Sequence, residues 1–505
     1  MNSDVLDTLL WAKASYKSGT LFAPDFNYAA FLPFGGSLLM LPFIGLFGIS
    51  YTTQIIGMVL FEAIFFVSLV LFAKKINFSA NQIMIFLILM CSLWLCGDKF
   101  REMFCEHIIY YSLSVLFILI GYTLLSALVK SLKSGTKKKK ITLSVITFIF
   151  FALVATDGFQ IIFISTVPII AGFCLERFFC LKTKLFSGNN SPEIIAVFIV
   201  LMATGVGFMA LQCITQWTSI GYATGYSIYD SENAVNWVEK LRLFFVDYYQ
   251  LFEVKFVNKP SLSDIKQIPA LIRFAFSTML LAGVPLAAVL YNKAHSKNFR
   301  RVFWTVTVVF AETVFLWFFG VISTAGWRLI PMITCLLILF VFDLTIIFKK
   351  PVYLRFNILI IAVAFLFSAV SVAGVLSIKR SNQKYGKYQN LINELETKEV
   401  YSGYSDFWVS AVVNTLSNEE ITAQNVRLNE NKLELYQYQQ FNFDPNSVPS
   451  NKNCFLILST NDVSAFEKSA LFKNLSPYLT EKFDEGIDNW FVIYFYSCDI
   501  GCKLI

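Results

Sequence analysis

Long uninterrupted apolar runs constrain this chain more than any other feature. Ten of them, at 53–73, 82–97, 108–130, 141–156, 159–176, 193–213, 270–291, 302–322, 329–348 and 354–377, are apolar nearly all round. About 18 or more such residues cross the roughly 30 Å hydrocarbon layer as a helix, which satisfies its own backbone hydrogen bonds. A large soluble helical core would need a charged face on most helices, and most runs here have none. Composition agrees: 56% of the 505 residues are hydrophobic and 15% are charged, against about 25% charged in soluble domains. The expectation is a multi-pass protein of the cell membrane, an all-α polytopic bundle of about ten transmembrane helices. Two runs, 82–97 and 141–156, are short enough to hug the bundle interior or stop in the interface.

Charge then orients the bundle. The net charge is a modest +7, and the basic residues gather in short connections rather than on one face. That pattern does not suggest nucleic acid as a partner. The patches are Lys74/Lys75, Lys130 to Lys140, Arg177 to Lys184, Lys293 to Arg301 and Lys349/Lys350/Arg355. They occupy alternate connections, so one orientation places all of them in the cytoplasm. The connections 98–107, 157–158, 214–269 and 323–328 are then outside, with the tail after 377.

Three pieces do not fit a simple bundle. The apolar stretch 29–50 contains Pro33, Gly35, Gly36, Pro42, Gly45 and Gly48, which weaken a straight helix. A broken, re-entrant or surface-lying element fits better than a straight span: if it does not cross, 1–52 is an outer segment ahead of the membrane domain 53–377, and if it does, residues 1–28 are cytoplasmic. The loop 214–269 is rich in rings (Trp217, Tyr222, Tyr226, Tyr229, Trp237, Tyr248, Tyr249), and Ala234 to Phe252 reads as an amphipathic interfacial helix. It is either a cover over the bundle or a lid facing substrate. The tail, 378–505, reads as a small extracytoplasmic α/β domain. Residues 380–398, Phe407 to Leu416 and Val463 to Leu475 look helical, while Phe455 to Leu458 and Trp490 to Tyr496 look like strands. The tail has no glycine-rich phosphate loop, and a structural or partner-binding role is expected of it. Most cysteines lie in apolar runs as small core residues. Cys498 and Cys502 are spaced to pair if the tail is outside.

Charges at the membrane are costly and therefore informative. Asp98-Lys99-Phe100-Arg101-Glu102-Met103-Phe104-Cys105-Glu106-His107 concentrates acids, bases and a histidine between two spans. It is either a solvated loop or a polar site where a carboxylate and a histidine bind a divalent metal or a hydroxyl-bearing substrate. Glu102 and Glu106 share a helical face. Asp157 either caps the next helix or joins that site. Arg328 either snorkels to headgroups or grips a phosphate with paired hydrogen bonds. Asp4 and Asp7 share a face, as a capping turn or as a general base. Glu62 and Glu312 fall within spans, where a transporter or flippase for a lipid-linked envelope component would use them. The chain shows no internal repeat of the kind many transporters have.

With these residues in view, the chain resembles the C-type membrane glycosyltransferases, the superfamily of protein O-mannosyltransferases and lipid A aminoarabinose transferases. An acidic stretch leads into Trp11, Ala12, Tyr16 and Gly19, with Leu21 one place late, as in the first outer loop of that superfamily. The Pro33 to Gly48 stretch, ending Leu46-Phe47-Gly48-Ile49-Ser50, resembles its juxtamembrane element. Asp98 to His107 corresponds to the second outer loop, and Gly403-Tyr404-x-x-Phe407-Trp408 is similar to tails of bacterial members. The resemblance implies transfer of a sugar from a polyprenyl-phosphate donor, at the outer face, to a lipid, glycan or protein acceptor. By position it assigns the base to Asp4 or Asp7. It places Glu102 and His107 at the acceptor or a metal, Arg101 and Asp157 among the substrate contacts, and Arg328 at the carrier phosphate. Those proteins carry a transmembrane helix before the first outer loop, whereas this chain starts inside that loop. The expectation is a truncated member or a start upstream of Met1.

Overall fold

The computed structural model describes residues 3–181, 192–218, 237–254, 267–291, 296–319, 325–347, 354–378, 383–429, 432–436, 440–441, 453–483 and 491–501. Lys184, Tyr222, Tyr226, Tyr229, Ala234, Lys293, Lys349, Lys350, Trp490 and Cys502, named above, lie outside the described residues.

Among the described residues nine helices are long and apolar enough to cross a membrane: Tyr51–Lys75, Tyr110–Ser134, Lys137–Thr156, Phe159–Phe179, Pro192–Thr215, Ile268–Tyr291, Lys297–Phe318, Gly326–Leu344 and Ile358–Leu376. A tenth candidate is broken. Ala80–Leu95 meets Asp98–Glu106 at a 110° bend, so the short run at 82–97 turns over rather than continuing. Gly97 stands at the corner, where a Cβ would lie 2.5 Å from the Leu251 carbonyl oxygen. Any larger residue would push the bend away from its neighbour. The other short run gains length at its start. Lys137–Thr156 takes its lysines into the first helical turn, capped by the Thr136 side chain. Tyr110–Ser134 and Gly326–Leu344 are the innermost spans, 78% and 89% buried, while Ile358–Leu376 is 17% buried and faces outward.

The broken element at 29–50 becomes one helix, Ser37–Phe47, with Pro42 inside it. At 1.5 Å per residue its 11 residues cover about 16 Å, half a membrane. It packs beside the helix Asp7–Ser18 and the start of Tyr51–Lys75. The expected interfacial helix is Trp237–Leu251. It buries Phe244, Tyr248 and Leu251 and leaves Val238, Leu241 and Phe245 exposed, and Tyr248 donates to the Ser277 carbonyl at 2.8 Å.

The tail forms a six-stranded sheet. Its strands are β1 (Ser402–Asp406), β2 (Thr422–Asn429), β3 (Lys432–Leu435), β4 (Cys454–Ser459), β5 (Leu479–Phe483) and β6 (Phe491–Tyr496), in spatial order β3-β2-β1-β4-β6-β5. β1 runs parallel to both β2 and β4, and the remaining pairs are antiparallel. Helices Gln383–Thr397 and Phe407–Leu416 cover one face through Leu391, Leu395, Val409 and Val413; Phe466 and Leu475 cover the other.

This domain sits on the N-terminal segment. Helix Phe407–Leu416 packs against Ser3–Leu6. The Asn27 amide donates to Gln440 at 3.0 Å, Phe26 lies edge-on to Phe441, and Glu419 pairs with Lys13 and, at 3.1 Å, with Lys17. Lys75, Lys133, Arg177 and Lys297–Arg301 gather at the far end of the bundle. The described basic patches thus share one end and the tail takes the other, as the alternation of charge requires.

Candidate active site

At the end beneath the soluble domain, four elements converge: the 3-10 turn Ser3–Leu6 with helix Asp7–Ser18, the first turns of Tyr51–Lys75, the bent segment 98–107, and the 3-10 turn Gly326–Leu329. The bent segment starts as one α turn, Asp98–Arg101, and widens into a π turn, Glu102–Glu106. Its apolar side, Phe100, Met103 and Phe104, is buried, and Phe104 stacks on Trp94 at 4.6 Å. It is therefore a docked element and not a solvated loop. Gly36 lets the juxtamembrane stretch close over it: a Cβ there would lie 2.5 Å from Ile108 and 2.9 Å from Thr8.

Gln54 joins these pieces. Its side-chain amide is buried and donates to the Val5 carbonyl at 2.9 Å and to the Glu106 carbonyl at 3.0 Å. Thr8 donates to the Ile108 carbonyl at 3.3 Å. The two strands of chain carrying Asp7 and His107 are thereby held side by side.

Asp7 Oδ2 then stands 3.7 Å from His107 Nε2, with side chains 5% and 4% exposed. Among the described residues, Asp7 Oδ1, both His107 ring nitrogens, Trp11 Nε1 and Gln54 Oε1 are buried without a hydrogen-bond partner. Such groups are rare in native structures and mark strain or function. Burial pushes the Asp7 carboxyl well above its ordinary range. It lowers His107 to about 4, outweighing the pull of Asp4 and Glu102. Burial thus disfavours the charged form of both groups. Asp4 is less enclosed; burial first, then repulsion from Asp7, raises it to about 6. Neither acid caps the helix, whose N-cap Leu6 has no side-chain bond.

The structure thus brings Asp4, Asp7, Glu102 and His107 into one electrostatic neighbourhood. Lys99 belongs to it, paired with Glu102 at 2.6 Å and 5.0 Å above the Trp327 ring. Arg328 follows Trp327, its guanidinium 5.8 and 5.9 Å from the Tyr110 and Tyr111 rings. It faces this aromatic wall, at the same end of the bundle as Asp7. Two other candidates have structural partners. Arg101 pairs with Asp98 and donates to the Leu95 carbonyl at 2.9 Å, with Glu253 at 3.9 Å. Asp157 does not cap the following helix, whose N-cap is Gly158; it accepts the Phe34 amide at 2.7 Å, tethering the juxtamembrane stretch. Glu62 meets the Cys105 thiol under the π turn, and Glu312 lies on a separate helix, Lys297–Phe318. Among the described residues no group of three or more His, Cys, Asp and Glu side chains is arranged to hold a metal ion.

No protein-family model matches the chain, and no curated protein matches it in sequence. Among solved structures, the crystal structure of ArnT from Cupriavidus metallidurans in the apo state aligns with 97% of this chain and 93% of its own, with a TM-score of 0.52 and 11% identity. The fold is that of the C-type membrane glycosyltransferases. ArnT is a lipid A aminoarabinose transferase, and the alignment takes in bundle and soluble domain together. The ArnT-like fold agrees with the resemblance read from the outer-loop residues.

Gln54 and Lys99 are the contributors that sequence reasoning passed over. Gln54 is a lone amide in the first turn of an apolar span, which is itself a signal. Lys99 was visible inside the charged stretch, but its approach to Trp327 depends on the 110° bend.

Proposed function

We propose that this chain is a membrane glycosyltransferase that moves a sugar from a polyprenyl-phosphate carrier to an acceptor at the outer face of the membrane. The observation that supports it most is the meeting of Asp4, Asp7, Glu102 and His107 at the tail-bearing end of an ArnT-like fold. In this reading Asp4 is the base. Raised to about 6, it is ionised at pH 7 yet basic enough to take the proton of an acceptor hydroxyl. Burial disfavours the ionised form of Asp7, which suits it less to that role. It acts with His107 as a buried pair that positions the Asp4 turn.

The acceptor oxygen bonds to the anomeric carbon as the bond from that carbon to the carrier phosphate breaks. The proton passes to Asp4 and the electron pair leaves with the phosphate. Arg328 and Lys99 supply positive charge where the leaving phosphate gathers negative charge. Glu102 and His107 orient the acceptor, a lipid, glycan or protein. The isoprenoid lies among the apolar helices, in the membrane. Gathering of the basic patches at the opposite end supports a cytoplasmic placement for that end and an extracytoplasmic one for the soluble domain.

Two measurements test this. Reconstituted protein with a radiolabelled polyprenyl-phosphate sugar transfers label or releases the sugar, and Asp4→Asn and Asp7→Asn lose that activity while staying monodisperse. Undiminished transfer by both variants overturns the site. In intact cells, Ser18→Cys reacts with a membrane-impermeant maleimide; labelling only after lysis overturns the orientation.

A further inference from the structure

The far end of the bundle holds a charge cluster that the proposed reaction does not use. Glu193 opens helix Pro192–Thr215 and is 5% exposed. Four cations from three other helices converge on it: Lys133 at 2.7 Å, Lys297 at 3.1 Å, Arg301 at 3.3 Å and Arg177 at 3.8 Å. Glu176, also buried, meets Arg301 at 3.3 Å and both Lys297 and Arg300 at 3.9 Å. Among the described residues two carboxylates face five bases.

The cluster has an inner and an outer layer. Arg301, buried against the Phe173 ring at 4.3 Å, bridges both carboxylates. Lys133 and Lys297 are 48% and 45% exposed. Phe178 and Phe179 follow Arg177 on its helix, each 51% exposed, with Phe179 stacked on Trp304 of the Arg301 helix at 4.8 Å. Bases crowded round one carboxylate repel one another, and a further anion at the open layer relieves that repulsion. Lysine heads beside exposed aromatic rings are the chemistry of a headgroup interface.

We infer that Lys133, Lys297 and Arg300 form a binding site for the phosphate-bearing headgroup of an anionic membrane lipid, whose acyl chains lie along Phe178 and Phe179. The lysines act as point charges on the phosphate and the arginine as a directional donor. The site is at the opposite end from Asp4 and is independent of the proposed transfer.

The test uses the full chain in uncharged detergent, probed with phosphatidylglycerol, phosphatidylcholine or sodium phosphate. Native mass spectrometry reads lipid retention, and the thermal midpoint reads stabilisation. Phosphatidylglycerol is expected to be retained and to raise the midpoint, with little effect from the other two. Lys133→Gln with Lys297→Gln weakens it by about 30-fold. Lys138→Gln with Lys139→Gln removes the same charge from exposed lysines at that end and changes it by less than about threefold. Equal retention of phosphatidylcholine overturns the inference. So does an equal response to sodium phosphate, which marks a free-anion site, or an equal loss in both double variants, which marks diffuse surface charge. If the first double variant misfolds, Lys133→Gln alone, which leaves the Arg301 bridge intact, carries the same comparison.

Discussion

The two ends of the bundle treat buried charge in opposite ways. At the lysine-rich end, each buried glutamate is matched by several bases, and Arg301 joins both. At the other end, Asp7 and His107 are equally buried and stand 3.7 Å apart, with three of their four polar atoms lacking a described hydrogen-bond partner. Paired burial serves to lock helices together. Unpaired burial weakens a fold and persists where a polar group has another use. The contrast is consistent with the proposal that chemistry sits at the Asp7 end.

The sharpest way to break this comparison is at Asp4. Asp4→Asn is expected to lower sugar transfer about 10²- to 10⁴-fold without lowering the thermal midpoint. The wild-type rate falls as pH drops through about 6, because protonation removes the base, and the variant lacks that limb. Stability has the reverse sign. A raised carboxyl contributes fully below its ordinary value, and that contribution is lost as pH rises through about 6. A rate that rises with acidity instead would exclude Asp4 as base.

At the other end, Glu193→Ala leaves Arg301 and Arg177 without their shared anion. It is expected to cost about 3 kcal/mol of stability and to leave the pH profile of surviving protein unchanged. Gln54→Ala falls between the two cases. Loss of both amide bonds leaves the Val5 and Glu106 carbonyls buried, costing about 2 kcal/mol, and transfer falls with it because the Asp7 and His107 segments separate. Asp7→Asn replaces the carboxyl with an amide of similar shape, so denaturation at pH 7 should move by less than about 1 kcal/mol. Lys17→Ala, at a half-exposed pair with Glu419, should change it by less still, about 0–0.5 kcal/mol.

The bundle was legible because membrane helices announce themselves by length and apolarity. The juxtamembrane break was legible from Pro42 and its glycines, and helix Phe407–Leu416 from its periodicity. Strands β2 and β5 were not: Thr422–Asn429 and Leu479–Phe483 are largely polar, and their pairing depends on partners distant in sequence. The acids of the candidate site stood out singly. Which of them meet was hidden, because the bend at Gly97 and the Gln54 bonds are tertiary facts. Arg101 and Asp157 illustrate the limit. Their positions suggested substrate contact, and the sequence did not show that they also bond Leu95 and Phe34 of the chain itself.

The clasp between the N-terminal segment and the soluble domain also sets an order of assembly. Ser3–Leu6, ahead of all the described spans, packs against Phe407–Leu416, and Asn27 bonds Gln440, both beyond the last of those spans. The segment bearing Asp4 must wait at the membrane surface while the described spans insert. Its lasting environment forms only once the soluble domain has folded, so a chain stopped short of that domain carries an unfinished site.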